Sequence, residues 1–338
     1  MFEFEVNLVN VNSMRYILKN TVRMLFLLFA VCLGAYVLVS LSPLDPIQSY
    51  IGTDSAIISE EQVNKIIEYW GLNLPAHERF INWFKNVLHG DFGISMLYRR
   101  PVLDVLKEKF VASIALMLSA WLISGVLGFI LGIISGMNKG KLIDRIIKWF
   151  TLLLASTPTF WFGLVMLMIF SVKLKWFPLG LGVPVGVSKE YVSLSDYVSH
   201  MILPAFTLGI TGVANIAQHT REKLIDVLES DYILYARSRG ESNLTILFRH
   251  GIRNIMVPAI MLQFASFSEL FGGSMLAEQV FSYPGLGQAV VAAGIKGDVS
   301  LLLGITLFSS IFVFTGNFIA NMIYGLIDPQ VKEGKANE

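Results

Sequence analysis

The sequence is short of charge and almost without cysteine. Asp, Glu, Lys and Arg make up 15% of its 338 residues, where soluble domains carry roughly 25%. Set against 54% apolar residues, that deficit argues against an ordinary water-solvated surface and points to lipid as the main solvent. The formal net charge is +1, so nothing favours nucleic acid or another polyanion as a partner. The single cysteine, Cys32, lies in an apolar run. No intrachain disulfide is possible, and a lone thiol reads as packing.

Signatures of nucleotide and metal chemistry are also missing. The nearest approach to a P-loop is Gly136-Met137-Asn138-Lys139-Gly140-Lys141-Leu142. It is one residue short between its glycines, lacks Ser or Thr after the lysine, and follows an apolar run instead of a strand. The chain is expected to bind no ATP. Its histidines are His77, His89, His200, His219 and His250, and no pair has the spacing of a helical zinc site, so no metal is expected. Asn243-Leu244-Thr245 matches a glycosylation sequon by chance. Ser42-Pro43-Leu44-Asp45-Pro46 follows the first apolar run, with no small-residue cleavage site, so no cleavable signal is expected.

What the sequence does have is long apolar runs. A helix needs about 20 apolar residues to cross the bilayer core. Met24–Leu41, Phe110–Met137, Trp149–Val172, Met201–Gln218 and Val299–Ile327 contain no Asp, Glu, Lys or Arg, and Asn254–Ala277 contains only Glu269. The reading is an all-α polytopic membrane protein with about six transmembrane helices. The short Asn138–Lys148 connection carries Lys139, Lys141, Arg145 and Lys148. The N-terminal tail and the His219–Arg253 loop are basic as well, which predicts that both termini are cytoplasmic.

Two loops are large. Residues 42–109 are expected outside as a small helical layer. Ser59 and Gln62 have capping-box spacing, and the run Gln62–Trp70 ends at Gly71. Pro75 suits the first turn of a helix Ala76–Leu88 that stops at His89-Gly90. The loop 219–253 is expected inside as two helices with a break. Asp231–Arg239 would end at Gly240, and Ser242 or Asn243 would cap a second helix through Leu244, Leu247, Phe248 and Ile252. Small Ala236 would permit close backbone approach. Composition alone also allows an ordinary polar loop.

The run Asp231-Tyr232-Ile233-Leu234-Tyr235-Ala236-Arg237-Ser238-Arg239-Gly240, followed by Arg249-His250-Gly251-Ile252-Arg253-Asn254 and Pro258, resembles the coupling motif of ABC-importer permeases. Within these it is similar to the dipeptide/oligopeptide/nickel permease family. Gly71-Leu72-Asn73-Leu74-Pro75 and His89-Gly90-Asp91-Phe92-Gly93-Ile94-Ser95 resemble the family's outer-loop signatures. Glu278-Gln279-Val280-Phe281-Ser282-Tyr283-Pro284-Gly285-Leu286-Gly287 resembles its segment after the fifth span, and Leu326-Ile327-Asp328-Pro329-Gln330 its ending. Pro43-Leu44-Asp45-Pro46 stands where the family often has Pro-Gly-Asp-Pro. The long outer loop resembles the first of the two paired permeases.

The resemblance implies the type I ABC importer fold in a bacterial cytoplasmic membrane. The apolar runs and loops set a tail at 1–23, a first span at 24–41, the outer loop 42–109, a core permease domain 110–327 and a tail at 328–338. The resemblance further implies a homologous second permease, two ATPase subunits that hold the ATP and Mg, and an extracellular or periplasmic substrate-binding protein. Asp231, Tyr235, Ala236, Arg237, Ser238, Arg239, Gly240, Arg249 and His250 would form the ATPase contact. Glu278, Phe281, Pro284, Gly285 and Gly287 carry the motif after the fifth span. The implied cargo is a peptide, with nickel or a metal–metallophore complex as the rival.

Three further features bear on the spans. Gly128, Gly132 and Gly136 recur every four residues, a face for close helix packing. Pro158 predicts a kink in the third span. Glu269 is an acid amid apolar residues, with Ser266 and Gly273 three and four residues away on one helical face. One reading turns it toward the pathway, where it would attract a cationic group such as a peptide amine or a metal chelate. The other makes it a buried acid at a subunit interface. Two remote alternatives are an ion channel and an intramembrane serine protease built on Ser274 with His200 or His219. Apart from those alternatives, no catalytic residue is expected.

Overall fold

A computed structural model of the chain describes residues 2–41, 60–69, 71–187 and 191–327. The all-α expectation holds: the described residues form helices, and their one β pairing is an isolated bridge between Ile94 and Pro101. In chain order the helices are α1 Phe2–Ser40, α2 Glu60–Tyr69, α3 Ala76–Leu88, α4 Val102–Met137, α5 Leu142–Ser156 and α6 Thr159–Met166, which continues as a π-helical stretch Leu167–Lys173. There follow α7 Leu194–Leu228, α8 Asp231–Ser238, α9 Asn243–Ile246, a π-helical stretch Leu247–Gly251, α10 Ile252–Ala265, α11 Phe267–Val280, α12 Leu286–Lys296 and α13 Val299–Ile327.

Four helices, α1, α4, α7 and α13, are long and apolar enough to cross a membrane. Two bent pairs pass the same test together, α5 with α6 at 106° and α9–α10 with α11 at 50°, which makes six candidate spans among the described residues. The kink expected at Pro158 is a full break. Thr157 and Pro158 are both extended (ψ 122° and 133°), and α6 restarts after the proline. The ring fixes φ and removes an N–H, so a helix opens after Pro more easily than it runs through it. The second bend falls at Ser266, not at Pro258, which α10 carries in its interior. Phe26, Leu38, Trp149 and Leu153 stand exposed along these helices. Each would cost about 1.5–3 kcal/mol in water relative to an apolar medium, so the outer faces suit lipid or a partner.

The chain divides into two compact units, each described on its own. The first holds Met1–Glu108 with Ala289–Phe314. Cys32 and Tyr36 of α1 pack there against Phe80 of α3 and Leu303 of α13, and the Tyr36 hydroxyl donates to the Ala76 carbonyl at 2.5 Å. As expected, α3 starts after Pro75 and gives way at His89 and Gly90 (φ +85°), while Gly71 (φ +63°) follows α2. Asp298 is buried ahead of α13. It accepts from Ser95 Oγ at 2.6 Å, Leu97 N–H at 3.0 Å and Leu301 N–H at 3.1 Å. The 91–101 loop is thereby fastened to the first turn of α13. Burial pushes the nearby Tyr98 hydroxyl above its ordinary pKa.

The second unit holds Lys109–Gln288 with Thr315–Glu338. Its axis is the α4–α7 contact, where both helices use glycine. A Cβ on Gly128 would lie 2.7 Å from Ile216 Cβ, and one on Gly132 would lie 2.6 Å from Thr220 Cβ. From the other side, a Cβ on Gly209 would lie 2.8 Å from Ile123 Cβ. The glycine face expected on the second span therefore packs within the chain. Trp121 Nε1 donates to the Gln263 carbonyl at 2.9 Å, and Gln263 Nε2 returns a bond to the Trp121 carbonyl at 2.6 Å, tying α4 to α10.

The expected capping box at Ser59 and Gln62, Trp70, the Pro43–Pro46 element, the Asp328–Gln330 ending and the tail 328–338 lie outside the described residues or side chains. The apolar segment 286–296, for which the sequence predicts no separate element, is the helix α12.

Candidate functional site

Two features of the second unit stand out: a helical elbow and a cavity. The elbow is α8–α9. Ser230 is extended ahead of α8, and Arg239 ends it. Gly240 then takes φ +84°, with no atom of a described residue within 4 Å of the position a Cβ would occupy. The requirement there is conformational, since a left-handed residue turns the chain and glycine bears it without penalty. Ser242 Oγ accepts from Thr245 N–H and caps α9, which decides between the two caps the sequence allowed.

Ile233, Ala236 and Ile246 close the inside of the elbow against Val227 and Leu228. Ala236 is turned inward, so the close approach its small side chain permits is to the chain's own Ile246. Leu234, Tyr235, Leu244 and Phe248 are exposed on the other side. Of the expected contact residues, Asp231 stands in the first turn of α8, Ser238 Oγ donates to the Tyr235 carbonyl at 2.7 Å, and the Arg239 guanidinium lies 6.0 Å from the Tyr235 ring centroid. Arg237 is exposed in the last turn. Glu241, just past the glycine, faces Arg249 at 3.7 Å and His250 at 3.5 Å. The motif thus has an inner seam and an outer apolar and basic face. The role of Glu241 was not read from the sequence. Its sign, opposite to the Arg249-His250 pair eight and nine residues on, was the available signal.

The cavity has a volume of about 230 Å³. Glu269 lines it with Ser266 and Gly273, the two residues expected to share its face. Thr157 and Thr159 flank the α5–α6 break, and Thr211 and Asn215 belong to α7. Glu269 is exposed and makes no hydrogen bond or ion pair with a described residue. Among the described residues it is the one ionisable side chain in the lining.

The motif after the fifth candidate span makes a buried knot. Glu278 is fully buried and accepts from Ser113 Oγ and from Gly287 N–H, each at 2.6 Å. Ser113 Oγ in turn accepts from Leu286 N–H at 2.8 Å. A Cβ on Gly285 would fall 2.2 Å from the Glu278 carboxyl carbon, and one on Gly287 would fall 2.4 Å from Met275 Cα. Phe281 is buried, and its carbonyl accepts from Leu181 N–H at 3.1 Å. Pro284 fills the place a side chain on Gly182 would need. The Gly180-Leu181-Gly182 partner was not read from the sequence, although two glycines around one residue mark a close approach. Burial pushes the Tyr283 hydroxyl up to about 12, so it stays a neutral phenol.

Ser274 Oγ donates to the Phe271 carbonyl at 2.8 Å, and His200 Nδ1 pairs with the Gly180 carbonyl. Among the described residues Ser274 has no histidine partner, and no three His, Cys, Asp or Glu side chains converge.

Comparison with known proteins places this geometry. The family model for the binding-protein-dependent transport system inner membrane component matches residues 128–333, more than half of the chain. The oligopeptide transport system permease protein AppB of Bacillus subtilis (strain 168) is 31% identical over 318 residues, covering 94% of this chain and 99% of that protein. The di/tripeptide transport system permease protein DppB of Pseudomonas aeruginosa (strain UCBPP-PA14) is 30% identical over 319 residues, covering 90% and 94%. The glutathione transport system permease protein GsiC of Escherichia coli (strain K12) is 30% identical over 321 residues, covering 94% and 99%. In fold, the chain is similar to the MetNI methionine ABC transporter in an inward-facing conformation, with a TM-score of 0.53 at 15% identity over 67% of this chain and 97% of that one. With its bent and straight apolar helices, the chain belongs to the family of binding-protein-dependent transport system inner membrane components and is a multi-pass permease subunit of an ABC importer.

Proposed function

We propose that this chain forms half of the route by which an ATP-driven importer moves peptides inward. The observation that carries the reading is the elbow. Its inner seam is sealed by the chain's own apolar residues, while Leu234, Tyr235, Leu244 and Phe248 are left exposed beside Arg237, Arg239 and Arg249. Such a partly apolar face suits a cleft in another protein, here an ATPase subunit. Two ATPases, a homologous second permease and a substrate-binding protein complete the assembly, and the ATPases hold the ATP and Mg. ATP shifts the permease pair between outward- and inward-facing states through contacts that differ between the two. The elbow is the lever, and Glu269, Ser266 and Gly273 line the route.

The orientation follows from charge. Lys139, Lys141, Arg145 and Lys148 share one short connection, and the elbow carries further arginines, so both face the cytoplasm with the termini. A peptide cargo, as against a metal chelate, is supported by the oligopeptide, di/tripeptide and glutathione permeases among the relatives. The test is reconstitution of the whole complex in lipid with the binding protein. Peptide uptake must require ATP, and a cysteine at position 235 must cross-link to an ATPase subunit. ATP-independent uptake, or no cross-link from any exposed elbow position, would refute the reading.

A further inference from the structure

Among the described residues the buried acids are all hydrogen-bonded, and Glu269, exposed at a cavity, stands in contrast. Asp144, Glu278 and Asp298 each accept two or more hydrogen bonds. Glu269 sits on a candidate span in a cavity, and no described residue pairs with it. A carboxylate among apolar residues is costly, and it persists where it faces water, a cavity or a partner charge. Among the described residues no Lys, Arg or His lines this cavity, so the counter-charge comes from outside that lining.

The cavity's position and lining point the same way. It lies against both helix breaks, with Thr157 and Thr159 at one and Ser266 at the other. Irregular backbone at membrane depth is tolerated where it is covered by protein or lines a water-filled space. Around the carboxylate, Ser266, Thr211, Asn215 and Thr157 present hydroxyl and amide oxygens. An ammonium has three N–H donors and no acceptor, so one carboxylate and a few neutral oxygens match it. A volume of about 230 Å³ is below the roughly 300 Å³ at which small-molecule pockets begin. It suits one end of a cargo, not the whole.

We infer that the Glu269 cavity is a subsite for a protonated primary amine of the passing cargo, such as a peptide N-terminus or a lysine side chain. The inference rests on the chain being a peptide permease. Glu269 supplies the charge, and the helix breaks keep the space open.

Two measurements on the complete reconstituted complex test it. The first is the uptake ratio of one lysine-free peptide with a free N-terminus to its N-acetylated form. Wild type favours the free amine. Glu269→Gln lowers the ratio at least tenfold, and Glu269→Asp keeps part of it. An unchanged ratio in Glu269→Gln, or dissociation of the two permeases in that variant, overturns the subsite, the latter by making Glu269 an interface acid. The second needs no transport. A water-soluble carbodiimide joins a contacting amine to a carboxylate as an amide, read by mass spectrometry. The Glu269 adduct should saturate with a free-amine, C-terminally amidated peptide, while that of exposed Asp104 rises in proportion to concentration. A non-saturating Glu269 adduct overturns the proposal. Absence of ATP-dependent uptake of either peptide by wild type would instead sink the peptide-import reading, and the adduct experiment still decides the subsite.

Discussion

Arg221 of α7 grips Asp144 of α5 with both arms of its guanidinium, Nε to Oδ1 at 2.7 Å and Nη2 to Oδ2 at 2.8 Å. Ser135 Oγ adds a bond to Oδ1 at 2.6 Å, and the Gly140 N–H adds one to Oδ2 at 2.8 Å. The Asp144 side chain is 3% exposed. One carboxylate thus joins the end of α4, the turn after it, the start of α5 and the body of α7. Planar, two-pronged matching of this kind is specific to arginine.

Removing one partner leaves a buried charge uncompensated. Arg221→Met is expected to destabilise the subunit by about 3–5 kcal/mol. Adding Asp144→Asn should recover part of that loss. The midpoint for loss of monodisperse complex on heating in detergent, for both single variants and the double, provides the cycle. Equal loss in Arg221→Met and the double variant would show that the pair does not act as a unit.

The α4–α7 contact should reject side chains. A Cβ at Gly132 would meet the Ala217 carbonyl at 2.7 Å as well as Thr220, and backbone cannot swing aside. Gly132→Leu is expected to cost more than the roughly 1–3 kcal/mol of ordinary overpacking and to lower membrane yield severely. Gly34→Leu is the control, because no atom of a described residue lies within 4 Å of a Cβ there. Similar yields for the two variants would count against the contact.

Gly240 makes a different demand. Space is open around it, so the penalty for a β-branched residue is the positive φ, about 1–3 kcal/mol. Gly240→Val should insert into the membrane normally yet lose most ATP turnover stimulated by loaded binding protein. Gly240→Asn, which tolerates the left-handed region better, should keep much of it. Normal coupling in Gly240→Val would mean that the elbow's shape is not what the ATPase reads.

The Glu278 knot can be tested through Ser113. That hydroxyl donates to the carboxylate and accepts from Leu286 N–H, so Ser113→Ala strands two buried groups. About 1–3 kcal/mol of stability should be lost for each unsatisfied group. Ser113→Thr, which keeps the hydroxyl, should lose less. The readout is the same thermal midpoint, and no difference between the two substitutions would remove the hydrogen bonds as the cause.

Several of these features were legible in the chain alone. A bend at Pro158, a stop at Gly240, a cap at Ser242 or Asn243 and the helix Ala76–Leu88 are local outcomes. A missing N–H, a left-handed residue or a side-chain oxygen acts within a turn of its own position, so order in sequence suffices to read it. The bend at Ser266 was not legible. Pro258, the stronger local signal, lies inside a continuing α10, while the helix turns eight residues later where the cavity lies.

The sequence by itself determined that the chain lives in lipid, where its apolar runs lie, and which segments carry the family's motifs. These depend on composition and spacing, which need no knowledge of distant contacts. Tertiary structure decided the partners. Arg221, read from sequence only as a count toward the basic side, is the clamp on Asp144, 77 residues away. Glu278 is closed by Ser113, 165 residues away. Glu269 is left open, and only the convergence of α4, α5, α6, α7 and α11 around it makes that openness visible. A charge in a span must be satisfied by something, and what satisfies it is a property of neighbours in space.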